Sequence, residues 1–174
     1  MDQPPEAGTS KEQEADMADN QRTQVTQPTG PDPALKRLEQ FVGTWDVKSR
    51  TLDAGEDNIS GRLTFEWLPG GFFLQQRTEL NFAGDEVKGL EVIGYDPATD
   101  RFPSTVYSSM VGVPIPYEYD VQGSHVTIRT DFNGGATYKG SFSEDGDSGS
   151  GGWRPDQGAA PGNVAYDITV RRVR

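Results

Sequence analysis

The chain has 174 residues, no cysteine and a formal net charge of −11 at pH 7, which excludes disulfides, thiolate metal sites and thiol nucleophiles. A strongly acidic surface repels the phosphates of nucleic acids and of anionic lipids, so neither nucleic acid nor a membrane is expected as a partner. Apolar runs of membrane-spanning length are missing, as is the apolar segment of a secretory signal, so we expect a cytoplasmic protein.

The first segment, 1–31, is rich in Gln, Glu, Asp, Thr and Pro and poor in large apolar side chains. Such a segment cannot bury enough apolar surface to offset the entropy that it would lose on ordering. We therefore predict a disordered acidic tail over 1–31 and a single β-barrel domain over 32–174. A docking role for the tail is the less favoured alternative.

A short helix over 33–42 is predicted at the start of the domain. Asp32 is a typical N-cap residue before a proline, Pro33, at the first helical position. Gly43 can adopt the positive φ that often follows the end of a helix. The apolar residues between them share one face at helical spacing: Leu35, Leu38 and Phe41 or Val42.

About eight to ten short strands follow the helix, with no further helical pattern. Apolar and polar residues alternate in most of them, as in 59–67, and turn sequences such as Pro69-Gly70-Gly71 separate them. Consecutive hairpins favour an all-β fold, a single antiparallel up-and-down β-barrel, because closure removes exposed sheet edges. A barrel of this size can hold one small ligand.

Four segments fit this pattern less well. Residues 143–152 are predicted to form a Gly/Ser/Asp loop, and a weak strand follows it. The prolines of 113–116 allow only an edge or an irregular strand start, because proline cannot donate to a sheet ladder. In 86–95 and 102–111 the alternation is ambiguous, and a shift of one residue would turn every side chain to the other face.

Glu91 is the single weak candidate for catalysis. If Ile93 and Tyr95 point inward, Glu91 does too, and a carboxyl desolvated among aromatic rings would have a raised pKa and could act as a general acid or base. If Leu90 and Val92 point inward, Glu91 lies in solvent. The pattern favours this second orientation.

Aromatic residues on many strands share the inward parity. An ordinary packed core is one interpretation, since a small barrel is filled by such side chains. The other is a ligand site with apolar walls and a few polar groups. The candidate ligand-binding residues are Trp67, Gln76, Thr78, Tyr95, Tyr117, Tyr119 and Tyr138.

Three segments resemble the bacterial "domain of unknown function 1579" family: Gly43-Thr44-Trp45-Asp46, 68–74 and 89–96. A helix, a Gly-Thr-Trp strand start and a meander also resemble the calycin superfamily of lipocalin-like barrels. In such barrels a tryptophan plugs one end and an arginine of the last strand often covers it. The resemblance therefore implies structural roles for Trp45 and Arg172, in cation–π contact.

A related branch, the nitrobindin-like barrels, binds haem through a histidine on a late strand. The only histidine here, His125, has outward parity, and the last strand has none, so haem binding is disfavoured. Residues 145–156 fail the calcium-loop pattern, because Gly149 and Ser150 stand at positions five and six and Asp156 ends it in place of glutamate. We predict no metal and no cofactor.

The pattern as a whole predicts a small-molecule binding protein of uncharacterised specificity, a monomer or weak dimer that holds a small apolar or aromatic ligand inside its barrel. The first alternative is a lyase or isomerase that uses the same cavity, with Glu91 as acid or base. The second alternative is a haem-binding barrel. An enzyme is the less favoured class.

Overall fold

The computed structural model describes residues 29–174, so the predicted tail, 1–31, lies almost wholly outside the described residues. The described chain forms a closed barrel in which each strand pairs antiparallel with its sequence neighbours and the last strand pairs with the first. The ten strands are β1 Gly43–Thr51, β2 Ile59–Trp67, β3 Leu74–Phe82, β4 Asp85–Ile93, β5 Phe102–Ser108, β6 Val111–Gln122, β7 His125–Thr130, β8 Ala136–Phe142, β9 Ser148–Pro155 and β10 Tyr166–Arg172. The predicted up-and-down β-barrel is thus confirmed.

Tight turns let neighbouring strands pair along their length. Between β2 and β3, Gly70 and Gly71 have φ values of 96° and 73°, which residues with a Cβ rarely adopt. A Cβ on Gly71 would also stand 3.2 Å from the Pro31 ring. The predicted turn at 69–71 therefore needs glycine for both its backbone conformation and its contact with the chain before the helix.

The segment before β1 is a 3-10 helix, Pro33–Phe41. The Asp32 carboxylate caps it by accepting a hydrogen bond of 2.8 Å from the Ala34 N–H. A 3-10 helix has three residues per turn, so residues spaced by three lie above one another on one face. The buried residues have this spacing: Leu35, Leu38 and Phe41. A second 3-10 turn, Phe132–Gly134, precedes β8.

The helix covers one end of the barrel, which we call the closed end. Trp45 is buried there, and its indole N–H donates a hydrogen bond of 2.7 Å to the Phe41 carbonyl. The Arg172 guanidinium stacks 4.1 Å from the Trp45 ring centroid and donates to the carbonyls of Val42 and Gln40. This is the contact that the family resemblance implies, and it ties β10 to the helix and to β1.

Part of the predicted loop 143–152 is a strand, because β9 begins at Ser148. This strand carries no alternating apolar signal, since its inward positions Gly149 and Gly151 have no side chain. A Cβ on Gly151 would lie 2.5 Å from the Tyr138 hydroxyl oxygen. The Tyr138 ring therefore covers the glycine backbone and supplies the apolar surface that the sequence of β9 lacks.

The two prolines of 113–116 lie in β6, in a part of the strand that is paired on one side. β5 pairs with β6 as far as Ile115 and again at Val111. β7 pairs only with Glu118–Gln122, so among the described residues 111–117 have no ladder partner on that side. We call this gap between β6 and β7 the seam. Its position agrees with the confinement of proline to incompletely paired strands.

Candidate functional site

Glu91 points into the barrel, so the orientation that the sequence favours for it is wrong. Val87, Glu91 and Ile93 are buried, whereas Leu90 is 40% exposed on the outer wall. The sequence is ambiguous because both faces of β4 carry apolar residues. On the outward face, Leu90 and its neighbour Tyr107 line an outer groove of about 630 Å³.

Two hydroxyls hold the buried carboxyl of Glu91 in place. Ser104 donates a hydrogen bond of 2.5 Å and Tyr119 one of 2.8 Å, both to Oε1 of Glu91. The pairing of β4 with β5 and of β5 with β6 brings them there, because Ser104 lies opposite Ile93 and Tyr119 lies opposite Phe102. The second carboxyl oxygen, Oε2, has no hydrogen-bond partner among the described residues.

Burial raises the pKa of Glu91 from its ordinary 4.5 to about 7, although the bonds from Ser104 and Tyr119 oppose the shift. The carboxyl is therefore divided between its neutral and ionised forms near neutral pH. Because both hydroxyls donate to Oε1, the proton of the neutral form belongs on Oε2. The free oxygen thus donates a hydrogen bond when the group is neutral and accepts one when it is ionised.

Three more tyrosines bring unpaired hydroxyls to the interior: Tyr117 on β6, Tyr138 on β8 and Tyr166 on β10. In the described part of the chain, every fully buried side-chain nitrogen or oxygen has a hydrogen-bond partner. These three hydroxyls have no described partner, so none of them is completely enclosed by protein atoms. Burial still raises the pKa of Tyr117 and Tyr138 to about 12, so the phenols remain neutral donors. We call this part of the barrel interior the lumen.

Trp153 completes an aromatic wall on one side of the lumen. Its ring centroid lies 5.2 Å from that of Tyr117 and 5.7 Å from that of Tyr138, with interplanar angles of 47° and 50°. We call these three residues the aromatic wall. On the facing strands, Gln76 lies opposite Glu91 and donates a hydrogen bond of 2.8 Å to Thr78. The lumen thus combines aromatic faces with neutral polar groups around one carboxyl.

The lumen brings together most, but not all, of the candidate ligand-binding residues. Trp67 and Tyr95 lie at the closed end, away from Glu91. The Trp67 indole donates to Glu39 at 3.0 Å, and the Tyr95 hydroxyl donates to Asp100 at 2.9 Å. The candidates that share the lumen with Glu91 are Gln76, Thr78, Tyr117, Tyr119 and Tyr138. Their binding roles remain predictions.

Sequence reasoning missed two residues of this site. Ser104 lies in the ambiguous run 102–111, and its inward parity follows only once Phe102 is known to be buried. Trp153 lies in the weak run after the predicted loop, where the glycines of β9 conceal the alternation. A large aromatic residue at the end of a glycine-rich strand, opposite Tyr138 in the preceding strand, is the signal that could have identified it.

Charge is scarce on the inner surface. Among the described strand residues with inward parity, only Asp85, Glu91 and Arg172 are charged. Asp85 is exposed at the rim of the barrel, and Arg172 is held against Trp45 at the closed end. Among these described strand residues, Glu91 is therefore the one charged group in the lumen itself. The described residues contain no His, Cys, Asp and Glu cluster suited to a metal ion.

A second outer groove, of about 530 Å³, crosses β8 to β10 and is lined mainly by glycines and exposed charged residues such as Arg154 and Asp167. These two side chains form an ion pair with each other. Like the groove beside Leu90, it lies on the outer wall and does not reach Glu91.

Among the described residues, no helix has the length and apolar character required to cross a membrane.

The architecture has a counterpart among solved structures. The crystal structure of Rv2717c from M. tuberculosis aligns with a TM-score of 0.56 over 83% of this chain and 99% of that chain, at 14% sequence identity. An identity this low shows a common fold alone. A comparison with curated proteins finds no match.

The sequence itself matches a family profile described as "Protein of unknown function (DUF1579)" over residues 30–148. This range is more than half of the chain. It extends from the 3-10 helix through β8 and includes Glu91, Ser104 and Tyr119. The chain therefore belongs to the DUF1579 family of proteins of unknown function.

Proposed function

We propose that this protein binds a small, mostly apolar or aromatic molecule inside its barrel, with Glu91 at the floor of the binding site. One observation carries the proposal: four inward polar atoms have no described partner, namely Oε2 of Glu91 and the hydroxyls of Tyr117, Tyr138 and Tyr166. Polar groups inside a protein cost free energy unless they are hydrogen-bonded. A ligand with matching polar groups, or ordered water in its absence, would supply those bonds.

The proposal extends to the setting of the protein. We propose a relationship to the calycin superfamily, supported by the meander and by the contact of Arg172 with Trp45. A monomer or weak dimer in the cytoplasm, without nucleic acid or membrane as partner, is consistent with the net charge of −11.

Native mass spectrometry of protein purified from its own host tests the proposal most directly. We expect a mass above that of the chain, lost on denaturation, which would identify the ligand class. A native mass equal to the denatured mass, together with failure of the fluorophore described next to bind, would contradict the proposal.

A lumen-filling variant tests the location of the site. Val106 faces inward on β5, opposite Glu91 on β4, so Val106→Phe would occupy space beside the carboxyl. We expect it to weaken binding of the uncharged fluorophore N-phenyl-1-naphthylamine at least tenfold. Tyr107→Phe changes the next residue, which is 52% exposed on the outer wall, and should leave binding unchanged. Equal affinity of the two variants would place the fluorophore outside the barrel.

A second candidate function is acid–base catalysis in the same lumen. It is favoured by the pKa of Glu91, about 7, since a general acid or base works best with a pKa near the operating pH. Saturable turnover of a lumen ligand that is lost in Glu91→Gln would support a lyase or isomerase. Binding without turnover would leave the binding function alone. The haem alternative has little support, because His125 is exposed at the start of β7.

A further inference from the structure

We propose that the ligand carries a cationic amine, whose ammonium group is held by Oε2 of Glu91 against the aromatic wall of Tyr117, Tyr138 and Trp153. This inference rests on the proposed binding function and names the chemical class of its ligand. It follows from the charge of the lumen, the unpartnered carboxyl oxygen of Glu91 and the arrangement of the rings.

The charge of the lumen selects against an anionic ligand. A ligand carboxylate or phosphate would meet Glu91 and no inward cation, because Arg172 donates to the carbonyls of Val42, Gln40 and Gly146 behind Trp45. Two like charges in one poorly solvated site repel strongly. A ligand that carries a carboxylate is therefore a poor fit, whereas a cation would be attracted.

The free carboxyl oxygen is set up to accept a donor. Ser104 and Tyr119 hold Oε1 from two neighbouring strands, so the carboxyl cannot turn freely. A hydrogen bond from an ammonium group to the remaining oxygen would be charge-assisted, and such bonds are about twice as strong as neutral ones. The pair would also form away from bulk water, where charges are poorly screened.

The aromatic wall supplies the second half of an ammonium site. The negative faces of aromatic rings attract cations within about 6 Å of the ring centroid. Tyr117 and Tyr138 are each tilted by about half a right angle against Trp153, so the rings do not stack face to face and do not fully cover one another. Their two unpaired hydroxyls are further acceptors for the three N–H donors of a primary ammonium group.

Among the described groups that surround Glu91 in the lumen, Glu91 alone changes charge between pH 5 and pH 8. Gln76 and Ser104 are neutral, and burial holds the pKa of Tyr117, Tyr119, Tyr138 and Tyr166 above the ordinary range of tyrosine. An aliphatic amine stays cationic over the whole of this range. Binding of the amine should therefore tighten as the pH rises and Glu91 ionises.

Three compounds with the same aromatic body test the inference: 2-phenylethylamine, 2-phenylethanol and 3-phenylpropanoate. Isothermal titration at pH 7.5 should give at least tenfold tighter binding of the amine than of the alcohol, with no detectable binding of the acid. At pH 5 the amine should lose most of this advantage, while binding of the alcohol stays constant. The fold of the two variants described next is checked by their thermal unfolding transitions.

The matched variants are Glu91→Gln and Glu118→Gln. Glutamine at position 91 keeps an oxygen for Ser104 and Tyr119, so only the charge is lost and the amine should bind no better than the alcohol. Glu118 is exposed on β6, and its substitution changes the net charge equally without touching the lumen. An equal loss in both variants would assign the preference to the overall charge of −11 and overturn the inference.

The remaining outcomes separate the inference from the proposed function. Equal binding of the three compounds, or tightest binding of the acid, would overturn the amine class and leave a binding protein. If none of the three binds while native protein carries excess mass, the amine inference again falls and the binding function stands. Unchanged amine affinity between pH 5 and pH 7.5 would remove Glu91 as the anchor.

Discussion

The two ends of the barrel interior differ in kind. At the closed end, Trp45, Phe102 and Val121 are almost wholly buried, and apolar residues of the helix pack on them. Farther inside, a carboxyl and several phenols replace that apolar packing, and some of their polar atoms have no described hydrogen-bond partner and are not completely enclosed by the protein. From this comparison we expect the helix-covered end to contribute most of the stability of the barrel. The lumen can therefore keep polar groups that a core would not tolerate.

The sharpest test of this contrast truncates one residue in each region. Phe102→Ala should lower the free energy of unfolding by about 3 to 5 kcal/mol, because it opens a cavity among fully buried side chains. Val106→Ala, in the lumen on the same strand, should cost about 1 kcal/mol or less, since less contact is lost. Urea denaturation measures both, and equal losses would show that the two regions are packed alike.

The next largest expected effect is the contribution of Glu91 to the pH dependence of the free energy of unfolding. Between pH 4.5 and about 7 the unfolded chain has released this proton and the folded protein retains it, so stability falls as the pH rises. The loss is about 3 kcal/mol and is complete above the folded-state pKa.

Glu91→Gln should remove this component of the pH profile and make the protein more stable at pH 8. Glu118→Gln serves as the control and should follow the wild-type profile. Chemical denaturation at a series of pH values measures both variants. If the free energy of unfolding of the wild type followed the same pH dependence as that of Glu91→Gln, the carboxyl would not be desolvated in solution.

Loss of the contact between Arg172 and Trp45 at the closed end should have a smaller effect on stability. Arg172→Lys keeps the charge but loses the planar group that stacks on Trp45 and reaches several carbonyls, at a cost of about 2 kcal/mol. Arg62→Lys alters an exposed ion pair with Asp46 and should change stability by less than about 0.5 kcal/mol. Indistinguishable thermal midpoints for the two variants would argue against a stacking role.

The smallest expected effect belongs to the helix cap. Asp32→Ala removes the carboxylate that accepts the Ala34 N–H, which should cost about 1 kcal/mol. The binding of lumen ligands should not change, because the cap lies at the far side of the buried core. A fall in ligand affinity as large as that caused by Val106→Phe would show that the closed end and the lumen are coupled.

Sequence patterns predict the parts of the fold in which one face is apolar and the other polar. Apolar and polar residues alternate clearly in β2 and β7, and Asp32-Pro33 and a buried apolar stripe predict the helix. Alternation does not identify the inward face of β4, because its outer face also carries apolar residues, among them Leu90. It does not identify the inward face of β9 either, since Gly149 and Gly151 on that face have no side chains.

The candidate site follows the same division. Parity along a clear strand identifies Tyr117, Tyr119 and Tyr138 as inward. The environment of Glu91 could not be foreseen, because it depends on the register between three strands, which brings Ser104 and Tyr119 to a single oxygen. Local periodicity carries no information on such cross-strand relations, which are decided by how the whole barrel closes.

The seam between β6 and β7 has a kinetic consequence. Where a ladder is incomplete, two strands can part locally at a small fraction of the cost of global unfolding. Backbone amides over 111–116 should therefore exchange with deuterium much faster than those of Glu118 and Tyr119, which have ladder partners on both sides. Tyr117 stands at the boundary between these stretches and also in the aromatic wall. For the ligand proposed above, we therefore expect the residence time to depend on how often this one segment of the barrel opens.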